Sequence, residues 1–372
     1  MSNSGRKAQS LETLVSRFSA KKKREQDITF WSGESEGFLS TDRTYSLTPR
    51  QVSNELGESQ VPRVPAREKD VLSAHGYFFQ SIISESKCSK LYNVTDRRNG
   101  KLKAVRVYTI ENAALASPHF VNFIKNEITT LSQIQHENII RLYYNFQYYS
   151  RHYVIMDYME NGSLENYMKA HRLFPSPKER KSIFQQMLSA CKYCHDINIV
   201  HHDLKLTNIL LDKNNDIKLY GFGWCVPWAS EQGEVELCTD YCGNLDYAAP
   251  EVLTHTPYDP RPVDIWALGV ILYTLLCFEL PFGSVSSSTR RLFKYQKSRK
   301  LRKRIVKKAP PEEQSCIHLI LDMLEPDVTQ RISLNSIFSC KWLSEERKSK
   351  AENAKSTPFE SSPSSLSGIF TE

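Results

Sequence analysis

His201-His202-Asp203-Leu204-Lys205-Leu206-Thr207-Asn208-Ile209-Leu210-Leu211 is the stretch on which the reading of this chain turns. It follows a helical pattern and precedes an Asn214-Asn215-Asp216 turn and the strand-like Ile217-Lys218-Leu219. A carboxylate, an ammonium and a carboxamide at this spacing can converge on one phosphoryl group. Asp203 would accept a hydroxyl proton, Lys205 would neutralise transferred charge, and Asn208 would hold a metal ion. Further fragments follow in order: Gly221-Phe222-Gly223, Ala249-Pro250-Glu251, Asp264-Ile265-Trp266-Ala267-Leu268-Gly269 and Arg331. Upstream, Lys101 to Tyr108 alternates like a strand and Tyr143 to Tyr149 is aromatic-rich. Between them Phe120, Ile124, Ile128 and Leu131 recur at helical spacing, with Ser117-Pro118 as a start signal. From about Ser163 the patterns are mostly helical.

The ordered fragments resemble the protein kinases, whose catalytic loop reads H-R-D-L-K-x-x-N. The resemblance runs over residues 77 to 343. It implies an α+β, bilobal protein-kinase fold, with a small β-rich N-lobe (77–157) holding one main helix and a larger, mostly helical C-lobe (162–343). Residues 1–70 and 346–372 are polar and are expected to be disordered tails. Lys192-Tyr193-Cys194-His195-Asp196, Tyr247 to Leu253 and Met323 to Val328 resemble the testis-specific serine/threonine kinases, in the calmodulin-dependent and AMP-activated branch.

That resemblance assigns roles by position. Leu91, Ala104 and Leu210 match the walls of an adenine pocket. Met156 matches the gatekeeper, and Asp157, Tyr158 and Met159 the hinge. Leu131, His201 and Phe222 match a hydrophobic spine. Glu251 with Arg331 matches a buried ion pair, and Asp264 the acid that braces the catalytic loop.

Three parts of the nucleotide site depart from the family pattern. The phosphate-covering Gly loop reads Ser84-Glu85-Ser86-Lys87-Cys88-Ser89. Without Gly the backbone amides approach phosphates less closely. The strand lysine is Arg106, which keeps its charge toward Glu127 but has a longer planar fork. Lys103, nearby, belongs to the other face of the strand. The metal-binding Asp of D-F-G is Gly221, which leaves Asn208 as a weak metal ligand at most. Losing one preorganised contact typically costs about 10²–10³ in rate. Two such losses take a kinase far below its usual rate of roughly 1–100 s⁻¹. ATP is expected to bind weakly, with little magnesium dependence. Gly221→Asp with Arg106→Lys is the expected repair. In the activation segment Asp240 stands where relatives carry a phosphorylated Thr, facing His202, and Asn244 replaces a Ser or Thr.

Composition sets limits. Hydrophobic residues make up 40% and charged residues 24%, which excludes fibrous and wholly disordered classes. The longest apolar run, Ile265 to Phe278, is too short to span a bilayer. Nine scattered Cys fit free thiols in a reducing compartment, cytoplasmic or nuclear, and Lys21-Lys22-Lys23-Arg24 is a candidate nuclear address. No Cys/His spacing supports zinc. Net charge is +7, yet residues 290–308 hold eleven Lys or Arg and no acid, so the remainder is acidic. Such a run suits an acidic partner surface and makes no strong case for nucleic acid.

Two functions stand on these residues. One is a pseudokinase acting as scaffold or allosteric regulator of a signalling partner, such as an active kinase. The other is a slow or atypical serine/threonine kinase using Asp203 as base. A nucleic-acid-binding module is a third, carried only by the basic run.

Overall fold

Alternation of apolar side chains builds the first part of the molecule. A computed structural model describes residues 67–344, apart from 112–117, 172–174, 240–242, 284–287, 299 and 309–312. The chain divides into two units, 1–79 and 80–372. Of the first, a short helix α1 (Glu68–Ala74) and the opening of strand β1 are described. Val71 and Leu72 of α1 are buried, and Lys69 Nζ lies 3.9 Å over the Phe79 ring. The tail boundary expected at residue 70 therefore falls inside a helix, whose apolar pair is enough to give it a buried side. Residues 1–66 and 345–372 lie outside the described residues.

Strands β1 (Tyr77–Glu85), β2 (Ser89–Asp96), β3 (Leu102–Thr109), β4 (Leu142–Tyr148) and β5 (Arg151–Asp157) form one sheet in the order β1-β2-β3-β5-β4. β3 is central and antiparallel to both neighbours, and both of its faces are covered. Its apolar residues Ala104, Val105, Val107 and Tyr108 are buried, while Lys103 and Arg106 project to opposite faces. Helix α2 (Pro118–Gln133) turns Ile124, Glu127, Ile128 and Leu131 inward at spacings of three and four. Its start signal Ser117 lies outside the described residues.

The remainder is helical. β6 (Gly162–Ser163) leads into α3 (Leu164–His171), and α4 (Pro177–Asp196) follows. α4 opens on a reciprocal cap: Glu179 N donates to Ser176 Oγ at 3.3 Å and Ser176 N to Glu179 Oε2 at 2.8 Å. β7 (Ile209–Leu211) and β8 (Ile217–Leu219) form with β6 a three-stranded sheet, tied to α4 where Ile217 N donates to Gln186 Oε1 at 2.9 Å. α5 (Arg261–Cys277) is the core helix, with every residue from Val263 to Leu276 buried. α6 (Thr289–Gln296), α7 (Lys300–Lys308), α8 (Gln314–Met323) and α9 (Leu334–Phe338) complete this part. Among the described residues no helix is long and apolar enough to cross a membrane. The result is the expected bilobal α+β architecture, with the loop 201–208 suspended between α4 and β7.

Candidate active site

Asp264, at the start of the core helix, fixes the loop. Its carboxylate accepts from His201 N and His202 N at 2.9 Å each, and lies 2.9 Å from His195 Nε2. Burial pushes its pKa up, but these donors outweigh that and hold it below the usual carboxylate range. Cys191 lies beside this pair, 3.7 Å from His195 Nε2. The three side chains come within reach of one another. Asp264 is already saturated with donors, and burial drives the Cys191 thiol well up, so the cluster reads as a hydrogen-bonded brace.

The loop delivers its three polar residues to one point. Lys205 Nζ is 2.6 Å from Asp203 Oδ2. Asn208 Nδ2 donates to Asp203 O at 2.8 Å and to Asp203 Oδ2 at 3.0 Å. The spacing seen in the sequence thus becomes a closed triangle. Behind it His201 packs on Phe222 with ring centres 4.8 Å apart, and Leu131 is buried. The activation segment is anchored by Arg331, which makes two parallel bonds to Glu251 at 2.6 and 2.9 Å.

Gly221 sits next to this triangle with φ +92°, in the left-handed region. A Cβ there would meet the Asn208 carboxamide at 2.6–2.9 Å. The space an acidic side chain would need is filled by Asn208 itself, turned onto Asp203. A divalent cation would find one neutral amide oxygen and one carboxylate already engaged by an ammonium. This donor set does not fit magnesium held against a triphosphate.

The expected Arg106–Glu127 pairing is replaced by a different arrangement. No ion pair within 4.0 Å joins them; Tyr108 OH donates to Glu127 Oε2 at 2.5 Å instead. Glu127 Oε1 and Arg106 Nε are buried without a hydrogen bond. The Arg106 guanidinium lies 5.3 Å from the Tyr220 ring and 5.9 Å from the Tyr108 ring. Burial raises the Glu127 carboxyl above its usual value, opposed by the Arg106 charge and the two tyrosines. Arg106, Tyr108, Glu127 and Tyr220 therefore form one buried cluster, with the cation against aromatic faces. Tyr108 and Tyr220 were missed in the sequence. Lys103 lies on the opposite face, its Nζ 3.2 Å over the Tyr143 ring.

The Ser loop is a closed hairpin. Ser86 N donates to Ser89 O at 2.8 Å, and Ser89 N to Ser86 Oγ at 3.1 Å. Two amides of the segment that matches the phosphate-covering loop are thereby spent within the turn. Lys90 pairs with Glu85 at 3.2 Å. The adenine side is better kept. Ala104 lies opposite Met156 in the β3–β5 register, both are buried with Met159, and Leu91 and Leu210 are half-buried. Asp157 accepts from Tyr143 OH at 2.7 Å. His202, expected to face Asp240, bonds Tyr258 OH through Nε2 at 2.9 Å, and its Nδ1 is buried without a partner. Asp240 lies outside the described residues.

The protein kinase domain signature matches residues 77–343. The chain belongs to the protein kinase family. The testis-specific serine/threonine-protein kinase 1 of Mus musculus is 32% identical over 296 residues, covering 78% of each chain. Testis-specific serine/threonine-protein kinase 2 of Mus musculus is 34% identical over 277 residues, 73% of this chain and 75% of the relative. The NUAK family SNF1-like kinase 1 of Mus musculus is 30% identical over 289 residues, 78% of this chain and 42% of the relative. A kinase domain implies ATP and magnesium in general. In this one the adenine walls fit that expectation and the cation position does not.

Proposed function

We infer that this kinase domain works as a pseudokinase, a scaffold or allosteric regulator of a signalling partner, and binds ATP weakly with little dependence on magnesium. The observation that carries the reading is the Gly221–Asn208 packing: position 221 carries no carboxylate, and the neighbouring carboxamide is bonded to Asp203. The Arg106–Tyr220 cluster supports it, because a guanidinium held among aromatic rings must leave them to reach a phosphate. The two losses together correspond to a rate deficit of about 10⁴ or more, with the usual non-additivity of groups that act as a unit. Free thiols at all eight described cysteines suit a reducing, cytoplasmic or nuclear setting.

A second reading keeps weak serine/threonine kinase activity. Its support is the intact Asp203–Lys205–Asn208 triangle, in which Asp203 remains placed as a base. Turnover of radioactive ATP by the purified full chain, set against Asp203→Ala, separates the two. Equal background from both proteins supports the scaffold. Turnover that disappears in Asp203→Ala overturns it in favour of the enzyme.

A further inference from the structure

The basic run of residues 290–308 folds into α6 and α7. Leu292 and Gln296 turn inward from α6, and Leu301 and Ile305 from α7. That phase leaves Arg290, Arg291 and Lys294 exposed on one helix, with Lys297 exposed at its C-terminal cap, and Lys300, Arg302, Lys303 and Lys307 on the other. Within each set residues three and four apart, 290/294/297 and 300/303/307, lie in a row along one face. Arg304 is the exception: it turns back to Glu279 at 2.8 Å and Pro281 O at 3.3 Å, so it supports the fold.

A groove of about 1050 Å³ opens beside these rows. Phe293, Leu301, Leu321, Leu324 and Val328 line it. Lys297 and Arg302 border it from the α6–α7 side, and Glu325 and Asp327 from the turn after α8. A row of like charges destabilises its own helix by mutual repulsion. An opposite charge laid along it removes that repulsion.

We propose that the α6–α7 face and this groove together bind an acidic protein segment carrying an apolar side chain. The acidic residues lie along the cation rows and the apolar side chain enters the groove. Nucleic acid fits less well, because a phosphate backbone carries no aliphatic or aromatic protein side chain to enter the apolar lining of Phe293, Leu301, Leu321, Leu324 and Val328. The chain's own residues 345–372 fit poorly too, with five acids against four bases. The inference supplies the partner chemistry for the scaffold reading, rests on that reading only for its biological purpose, and is tested without ATP turnover.

The probe is a fluorescein-labelled synthetic peptide of glutamates around one central Phe, titrated with the full chain and read by anisotropy. Saturable binding is expected, weakened about tenfold or more between roughly 50 mM and 300 mM salt because exposed charges are screened. Lys300→Ala, Lys303→Ala and Lys307→Ala together should weaken it about tenfold or more with melting temperature unchanged, since alanine keeps the helix. Arg290→Ala, Arg291→Ala and Lys294→Ala form an independent second set, should the first unfold. Replacing the peptide's Phe by Ser should weaken binding as well. No saturable binding, wild-type affinity in both folded variant sets, indifference to the Phe, or tighter binding of a single-stranded oligonucleotide each overturns the proposal. Failure here leaves the ATP comparison with Asp203→Ala standing, and the reverse holds equally.

Discussion

At the scale of single residues, Gly221 and Tyr220 decide more than their neighbours in the triangle. A side chain at 221 must adopt φ +92° and displace the Asn208 carboxamide. Gly221→Asp is therefore expected to lower stability by about 1–3 kcal/mol, seen as a lower denaturant midpoint, and to give no autophosphorylation alone. Arg106→Lys added to it should recover little, because Tyr220 still crowds the strand cation. The triple variant with Tyr220→Ala should exceed the double in radioactive autophosphorylation, and equal signals would remove Tyr220 from the account. His202 offers a pH test. Burial lowers its pKa, against the raising charges of Asp264 and Asp203, with His201 lowering it further. A histidine depressed in the folded state stabilises above its unfolded value near 6.5 and loses that contribution as pH falls below it. Melting temperature should fall from pH 7.5 toward pH 5, and less steeply in His202→Asn, which tolerates the φ of +63°. The loop itself was legible because its chemistry sits within eight consecutive residues. Tyr108 and Tyr220 were not, since an aromatic in or beside a strand reads as ordinary core. Only folding brings residues so far apart in sequence onto one carboxylate.

At the scale of elements, the junction between α2 and the Gly221-Phe222-Gly223 segment is unusually closed. Asn126 Nδ2 donates to Gly223 O at 3.1 Å and to Cys225 O at 2.9 Å, and Thr130 Oγ1 lies 3.1 Å from Cys225 Sγ. A Cβ at Gly223 would fall 2.1–2.4 Å from the Phe123 ring, leaving no room for a larger residue. Asn126→Ala strips a donor from two carbonyls and should cost about 1–3 kcal/mol in urea unfolding. Gly223→Ala should cost a similar amount, about 1–3 kcal/mol, through overpacking. No loss in either variant would mean that the helix is held by its apolar face alone. The helix was readable from Phe120, Ile124, Ile128 and Leu131. Its docking was not, because Asn126 sits among polar residues that periodicity assigns to solvent. The phase of α7 was hidden for a related reason. A run of cations looks uniform in sequence, and helical rotation about Leu301 and Ile305 is what turns Arg304 inward.

At the scale of the whole molecule, the architecture is kept by groups that need no nucleotide. Arg331 with Glu251 and Arg180 with Glu313 are ion pairs buried against the helical core. Arg331→Met leaves the Glu251 carboxylate without its partner and should cost about 3–5 kcal/mol, measured as a fall in thermal midpoint. A midpoint close to wild type would show that water reaches Glu251 freely. The lobes, the core helix and the loop brace were all legible, since each rests on apolar periodicity or a local motif. The seam between helix α2 and the Gly-Phe-Gly segment also carries Trp224, whose ring lies 5.2 Å from Phe123 across that seam. The seam therefore has a built-in optical gauge. Trp224 emission should move toward the red, and its quenching by iodide should increase, whenever α2 swings away. With the other four tryptophans replaced by Phe, a partner that clamps the lobes can thus be followed by Trp224 fluorescence, in real time and without a dye.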